Sequence, residues 1–306
     1  MKAFKLVQWG KPGKYVDVPV PTPGPGEVLV RMKAVGLCRS DLDMVDDQPG
    51  SAPYANSIPE GYTLGHENAG VVEELGVGVR DLKEGEAVVV HHMRHCGDCE
   101  YSQCDRMTRG CGLDGGLAEF LVVPRAELIS IGGQDPVYFA PLTDAGVTAY
   151  HAIQTVVHRL RPGTSAAVIG FIKLLSQARI FALDISPERL KLARELGAHE
   201  VVPSDEKAAD TILEFTGGRG VDGIIDFVGS DQSLALAAKI SRPRGRIVLV
   251  GMQGGKLTAG WNLIAPGCEF AISLGSTRFR FSEIQEAYDL LRAGKLQGRA
   301  VIEMDR

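Results

Sequence analysis

Between about residue 162 and residue 250, short apolar runs alternate with helix-patterned segments, and this rhythm constrains the fold more than anything else in the chain. Ala166-Ala167-Val168-Ile169-Gly170 and Arg179-Ile180-Phe181-Ala182-Leu183-Asp184 read as buried strands, and Gly223 to Val228 and Arg246 to Val250 supply two more. A helix between Ser186 and Gly197 is punctuated at both ends. Ser186 can cap it, Pro187 suits its first turn, Leu190, Ala193 and Leu196 share one face, and Gly197 can end it. Strand, helix, strand in that order predicts an α/β unit built on a doubly wound parallel sheet.

The first half follows another pattern. Glu27 to Met32, Gly70 to Leu75, Glu86 to Val90 and Ala118 to Val123 are strand-like and separated by turns, and the prolines from Pro19 to Pro25 break any regular element ahead of them. This predicts a β-rich domain of roughly 150 residues. In the tail, Ser282 and Gln285 fit a capping box for a helix carrying Ile284, Tyr288 and Leu291. Gly294 ends that helix, and Arg299 to Ile302 makes a last strand that returns to the first domain. The expected division is therefore 1–152 with 279–306 against 153–278.

A net charge of −5 without a long basic run argues against nucleic acid as a partner. No segment approaches the ~18 apolar residues of a membrane span, and Met1 to Val7 has no apolar stretch of signal-peptide length. The chain is thus expected to be cytosolic. In a reducing compartment the four cysteines between Cys96 and Cys111 read as metal ligands before disulfides. The 37 glycines fit the tight turns and close backbone approaches of α/β folds that hold a phosphorylated cofactor.

Three residues of the β-rich half offer mixed sulfur, nitrogen and oxygen donors: Cys38, His66 in Gly65-His66-Glu67, and Asp144 in Leu142-Thr143-Asp144-Ala145-Gly146. Each has an ordinary alternative. Cys38 could be a buried thiol, and Asp144 could cap a helix beginning near Ala145. Together they make the three protein ligands of a catalytic zinc, whose fourth position must stay open. Asp184, ending the second strand of the α/β half, is placed to accept hydrogen bonds from the adenosine ribose and so to select NAD over NADP. Its alternative is a helix-end acid ahead of Ser186. Arg189 could flank the adenine or be a solvated helix residue.

The run Gly36-Leu37-Cys38-Arg39-Ser40-Asp41, then Leu64-Gly65-His66-Glu67, then Leu142 to Thr148, resembles the zinc-containing medium-chain alcohol dehydrogenases, most closely the bacterial branch with aspartate as third zinc ligand. The resemblance implies a GroES-like catalytic domain and a Rossmann domain, zinc and NAD as cofactors, a small alcohol, aldehyde or ketone as substrate, and a homodimer or homotetramer. It assigns Cys38, His66 and Asp144 to the catalytic zinc, Glu67 to the acid beside it, Asp41 to the carboxylate that orients His66, and Ser40 to the substrate proton. Arg39 and Arg299 would hold the pyrophosphate, Thr148 would lie beside the nicotinamide, and Gly170 would open the cofactor loop. Cys96, Cys99 and Cys104 resemble ligands of the family's structural zinc, with Cys111 an extra thiol.

The chain departs from the family pattern in several places. Asp43 stands where a relay histidine is frequent. Phe171 to Leu175 follows Gly170 where a glycine-rich turn is expected, Tyr101-Ser102 replaces the third lobe cysteine, and a strand and helix are missing near Thr277-Arg278. Interruptions of the chain are expected at these last three places. The competing readings are a zinc-free quinone or enoyl reductase of the same fold and a nucleotide-binding protein without catalysis.

Overall fold

The computed structural model describes residues 1–46, 60–94, 108–169, 178–251, 255–257, 277–280 and 300–303. It divides into two compact units, Met1–Ala145 with Ser276–Arg306, and Gly146–Gly275.

In the first unit, β1 (Lys2–Lys5) pairs antiparallel with β2 (Lys14–Asp17). The long strand β3 (Glu27–Leu37) is followed by helix α1 (Arg39–Asp46), then β4 (Glu67–Leu75) and β5 (Ala87–Val90). The short parallel pair β6 (Thr108–Arg109) and β7 (Gly112–Leu113) precedes β8 (Phe120–Pro124) and β9 (Leu128–Gly132). A short helix α2 (Pro136–Phe139) and a 3-10 turn over Ala140–Thr143 lead up to Asp144. Two tail strands complete the seven-stranded sheet. They are numbered β15 (Thr277–Arg280) and β16 (Ala300–Glu303), after the strands of the second unit.

One edge of β3 is shared by two partners. Glu27 to Arg31 pair with β8, and Ala34 to Leu37 pair with β16, while the other edge runs along β4. The tail strand therefore completes the sheet just where β3 ends at Leu37, one residue before Cys38. The core beneath is built from Phe4, Leu6, Val30, Met32, Leu64 and Leu117, all at most 2% exposed. No interruption falls at Thr277-Arg278, which lie within one continuous strand. The other two expected interruptions, and the tail helix over 282–294, lie outside the described residues.

The second unit opens with helix α3 (Ala145–Val156) and alternates strand and helix thereafter. Its elements are β10 (Ser165–Ile169), β11 (Arg179–Asp184), α4 (Pro187–Glu195), β12 (Glu200–Pro203), α5 (Ala208–Phe215), β13 (Val221–Asp226), α6 (Asp231–Ile240) and β14 (Ser241–Leu249). The strand order is β12-β11-β10-β13-β14, and every pairing is parallel. Alternate residues of β10 serve opposite faces. Ala166 and Val168 pack with Ile153 and Val156 of α3, while Ala167 packs with Ile212 of α5 and Ile240 of α6. A sheet covered on both faces explains why its strands read as continuous apolar runs. Successive connections leave β10 in opposite directions, so the carboxyl ends of β10 and β13 flank a switch point, the usual ligand crevice of such sheets.

Helix α4 shows the expected capping: the Ser186 side chain accepts from the Arg189 N–H, and Pro187 occupies the first turn. No described helix is long and apolar enough to cross a membrane.

Candidate metal centre

Three segments far apart in sequence deliver four side chains to one spot in the first unit. Cys38 follows the end of β3, His66 immediately precedes β4, Glu67 begins it, and Asp144 closes the 3-10 turn ahead of α3. The register sets Gly36 of β3 against Glu67 of β4, which brings the first two segments together. One ligand atom from each of Cys38, His66, Glu67 and Asp144 lies within 4.8 Å of all the others. His66 and Glu67 are buried, Cys38 and Asp144 half-buried, and buried charges are paired or bind metal.

Behind the cluster, Asp41 in the first turn of α1 is fully buried and does two jobs. Its Oδ2 accepts the Cys38 backbone N–H at 2.7 Å, and its Oδ1 lies 3.2 Å from His66 Nδ1. A carboxylate facing Nδ1 keeps the proton on that nitrogen and turns Nε2 toward Asp144, whose Oδ2 is 3.5 Å away. Burial works against a charge on His66. The facing Asp41, with hydrogen bonding to Asp144, Asp41 and Cys38, outweighs it and holds the imidazole well above its ordinary pKa. The site thus draws positive charge to the centre of Cys38, His66 and Asp144. Sulfur, imidazole and carboxylate donors together fit zinc, and Asp41 supplies the support a ligand histidine needs.

Glu67 is completely buried, and its Oε1 accepts the Ala145 N–H at 3.3 Å. That contact satisfies a donor at the start of α3 and fixes the backbone next to Asp144. Room for Glu67 comes from Gly36: a Cβ there would stand 1.9 Å from Glu67 Oε2.

His92 also borders the cluster, and nothing in the sequence pattern singled it out. It lies beyond the end of β5, its Nδ1 is 2.9 Å from the Thr143 carbonyl oxygen, and its Nε2 is 3.9 Å from Asp144 Oδ1. Burial pushes its pKa below the ordinary value.

Arg39 and Ser40 open α1, with the Ser40 side chain half-buried, and Thr148 lies half-buried in α3. In the second unit Asp184 ends β11 with its side chain 9% exposed. Its Oδ1 accepts the Ser186 N–H at 2.9 Å and its Oδ2 lies 3.7 Å from Arg189 Nη1. A carboxylate at the carboxyl end of the second strand of such a sheet is placed to accept from a ribose diol. Gly170, Arg299, Cys96, Cys99 and Cys104 lie outside the described residues. Cys111 is half-buried, its thiol pKa pushed up by burial, and it packs against the first core.

Comparison with known proteins follows the same division. Residues 24–133 match the alcohol dehydrogenase GroES-like domain, and residues 163–293 match the zinc-binding dehydrogenase domain. An NAD-dependent alcohol dehydrogenase of Sulfurisphaera tokodaii is 32% identical over 279 residues, covering 84% of this chain and 80% of that protein. An alcohol dehydrogenase of Geobacillus stearothermophilus is 31% identical over 348 residues and is covered completely, as is this chain. This chain has only 306 residues, so that relative carries segments it lacks. Among solved structures, the alcohol dehydrogenase of Aeropyrum pernix superposes with a TM-score of 0.89 at 30% identity, covering 99% of this chain and 100% of that one.

Proposed function

The chain belongs to the zinc-binding alcohol dehydrogenase family, and from that membership we propose that Cys38, His66 and Asp144 hold its catalytic zinc. Its activity is NAD-linked interconversion of a small alcohol with the corresponding aldehyde or ketone. The observation that carries the site assignment is the meeting of Cys38, His66, Glu67 and Asp144 within 4.8 Å, with Asp41 behind His66.

Bound there, zinc supplies Lewis-acid polarisation of the alcohol oxygen, and NAD supplies the hydride acceptor. The protein does the rest. Asp41 keeps His66 in the Nδ1–H tautomer, so Nε2 remains a donor of electrons. Glu67 holds the turn that carries Asp144, through the Ala145 N–H. The Ser40 hydroxyl takes the proton of the substrate hydroxyl and passes it outward as the hydride leaves carbon. Arg39 and Arg299 bind the cofactor pyrophosphate, Thr148 lies beside the nicotinamide, and Gly170, at the end of the first strand of the cofactor domain, contributes to the cofactor site. The catalytic domain comprises 1–152 with 279–306 and the cofactor domain 153–278. Cys96, Cys99 and Cys104 belong to a structural zinc lobe. The family resemblance also supports a homodimer or homotetramer, which light scattering on the purified protein would measure.

Zinc competes with the proton that the site holds on His66. Because that pKa is raised, the protonated form stabilises the metal-free protein fully below the unfolded pKa of about 6.5, and this contribution is lost as pH rises through the folded value. Zinc affinity of the stripped protein should therefore increase with pH over that same upper range, with proton release on binding. Calorimetric titrations in two buffers of different ionisation enthalpy would read both effects. Flat affinity and no proton release would contradict the assignment of His66.

Cofactor choice rests on Asp184. Asp184→Ser removes both a charged ribose acceptor and the repulsion of a 2′-phosphate. A hydrogen bond to a charged group contributes about 1.5–3 kcal/mol, so kcat/KM with NAD should fall roughly 10–100-fold and the NAD/NADP ratio should move toward NADP. An unchanged ratio would reduce Asp184 to a helix-end acid.

A further inference from the structure

His92 has no role in the chemistry assigned above, yet its ring stands against Asp144. A carbonyl can only accept, so the 2.9 Å contact with the Thr143 oxygen puts the proton on Nδ1 and leaves a lone pair on Nε2. That lone pair faces another acceptor, Asp144 Oδ1, at 3.9 Å, beyond hydrogen-bonding range. Among the described residues Nε2 makes no hydrogen bond, although the side chain is only 14% exposed.

The ring has little freedom to escape this position. The His91 N–H donates to the Glu127 carbonyl at 2.7 Å, and the His92 carbonyl accepts the Arg109 N–H at 2.8 Å. A partly buried ion pair, Arg109 Nε to Glu127 Oε2 at 2.8 Å, ties those two anchors together. A half-buried acceptor at a fixed position gains from a donor placed to meet it. No described side chain supplies one. Among the described residues, the side from which a donor can reach Nε2 is the space beside Asp144.

We propose that His92 Nε2 accepts a hydrogen bond from a second hydroxyl of the substrate, so that this enzyme favours vicinal diols and similar hydroxylated alcohols over plain monoalcohols. A vicinal hydroxyl is the nearest further donor an alcohol can offer to a group flanking Asp144. The inference rests on the catalytic reading of Cys38, His66 and Asp144 given above and adds the substrate class. An apolar ring at this position would exclude such a hydroxyl; an imidazole of fixed tautomer selects it, because a site built to pair a hydroxyl loses that bond with the analogue lacking it.

The test measures kcat/KM with NAD for propane-1,2-diol, propan-1-ol and propan-2-ol, on the zinc-loaded wild type and on His92→Phe and His92→Gln, with zinc content determined for each. The wild type should favour the diol over both monoalcohols. In His92→Phe the diol-to-monoalcohol ratio should fall about tenfold, the worth of one hydrogen bond, while zinc is retained. Gln, which keeps an acceptor, should restore part of the preference. A ratio that does not move in His92→Phe overturns the proposal, and so does loss of zinc, which would make the residue a ligand or a prop for Asp144. Should His92→Phe fail to fold, the wild-type ratio and the Gln variant still decide, because equal use of diol and monoalcohol by the wild type refutes the inference by itself. Oxidation of none of the three alcohols would instead refute the functional reading on which it rests.

Discussion

Asp144→Asn should strip the catalytic zinc and abolish turnover while leaving the protein folded. The substitution keeps the size and the hydrogen-bonding shape of the side chain but removes its charge. Asparagine caps a helix as well as aspartate does, so α3 loses nothing if capping is the residue's only task. The metal site loses an anionic donor from its first ring of contacts. Outer partners of metal ligands already cost about 10–100-fold in affinity or activity when removed, and loss of a ligand itself should exceed a hundredfold. Zinc content by atomic absorption, turnover with NAD, and far-ultraviolet circular dichroism together separate the two roles. A variant that keeps both zinc and activity would make Asp144 a cap and nothing more.

Gly36→Ala should be nearly as damaging, although the residue contributes no functional group. Its Cβ would lie 1.9 Å from Glu67 Oε2 and 2.9 Å from Glu67 Cβ, on the strand pair that brings Cys38 beside Glu67. β3 is not free to yield there, because Gly36 is paired on both edges. Overpacking of this kind costs about 1–3 kcal/mol, and the carboxylate has to leave the Ala145 N–H to make room. We expect a lower midpoint of thermal unfolding together with weakened zinc binding. A variant as stable and as zinc-replete as the wild type would show that Glu67 is more adaptable than its packing indicates.

The contrast between Asp144 and Gly36 marks how far the sequence could be read. Cys38, His66 and Asp144 stand in short motifs whose donor chemistry is visible in the letters, and all three meet. The position of Asp184 at the end of β11 was legible too, because it ends an apolar run and precedes a capped helix. Gly36 has meaning only through the register that sets it against Glu67, and register is a property of the folded sheet. His92 was missed for a related cause. Val90-His91-His92-Met93 has no periodicity or spacing that marks a site, and its partner Thr143 lies 51 residues away. The strand boundaries show the same limit: β3 and β4 extend into the Gly36-to-Cys38 and His66-Glu67 segments because they pair with each other there, while local composition ended them sooner. The alternating half was the most legible, since a sheet covered on both faces writes its strands as unbroken apolar runs.

Zinc at Cys38, His66 and Asp144 should be indispensable to the NAD-linked alcohol chemistry. The most direct measurement follows NADH formation from an alcohol by the purified protein before chelation, after removal of metal, and during stepwise return of zinc. Activity should vanish on stripping and return in proportion to zinc rebound. Turnover that is indifferent to zinc removal would contradict this and point to a zinc-free reductase of the same fold, and zinc uptake without any turnover would point to a nucleotide-binding protein that has lost catalysis.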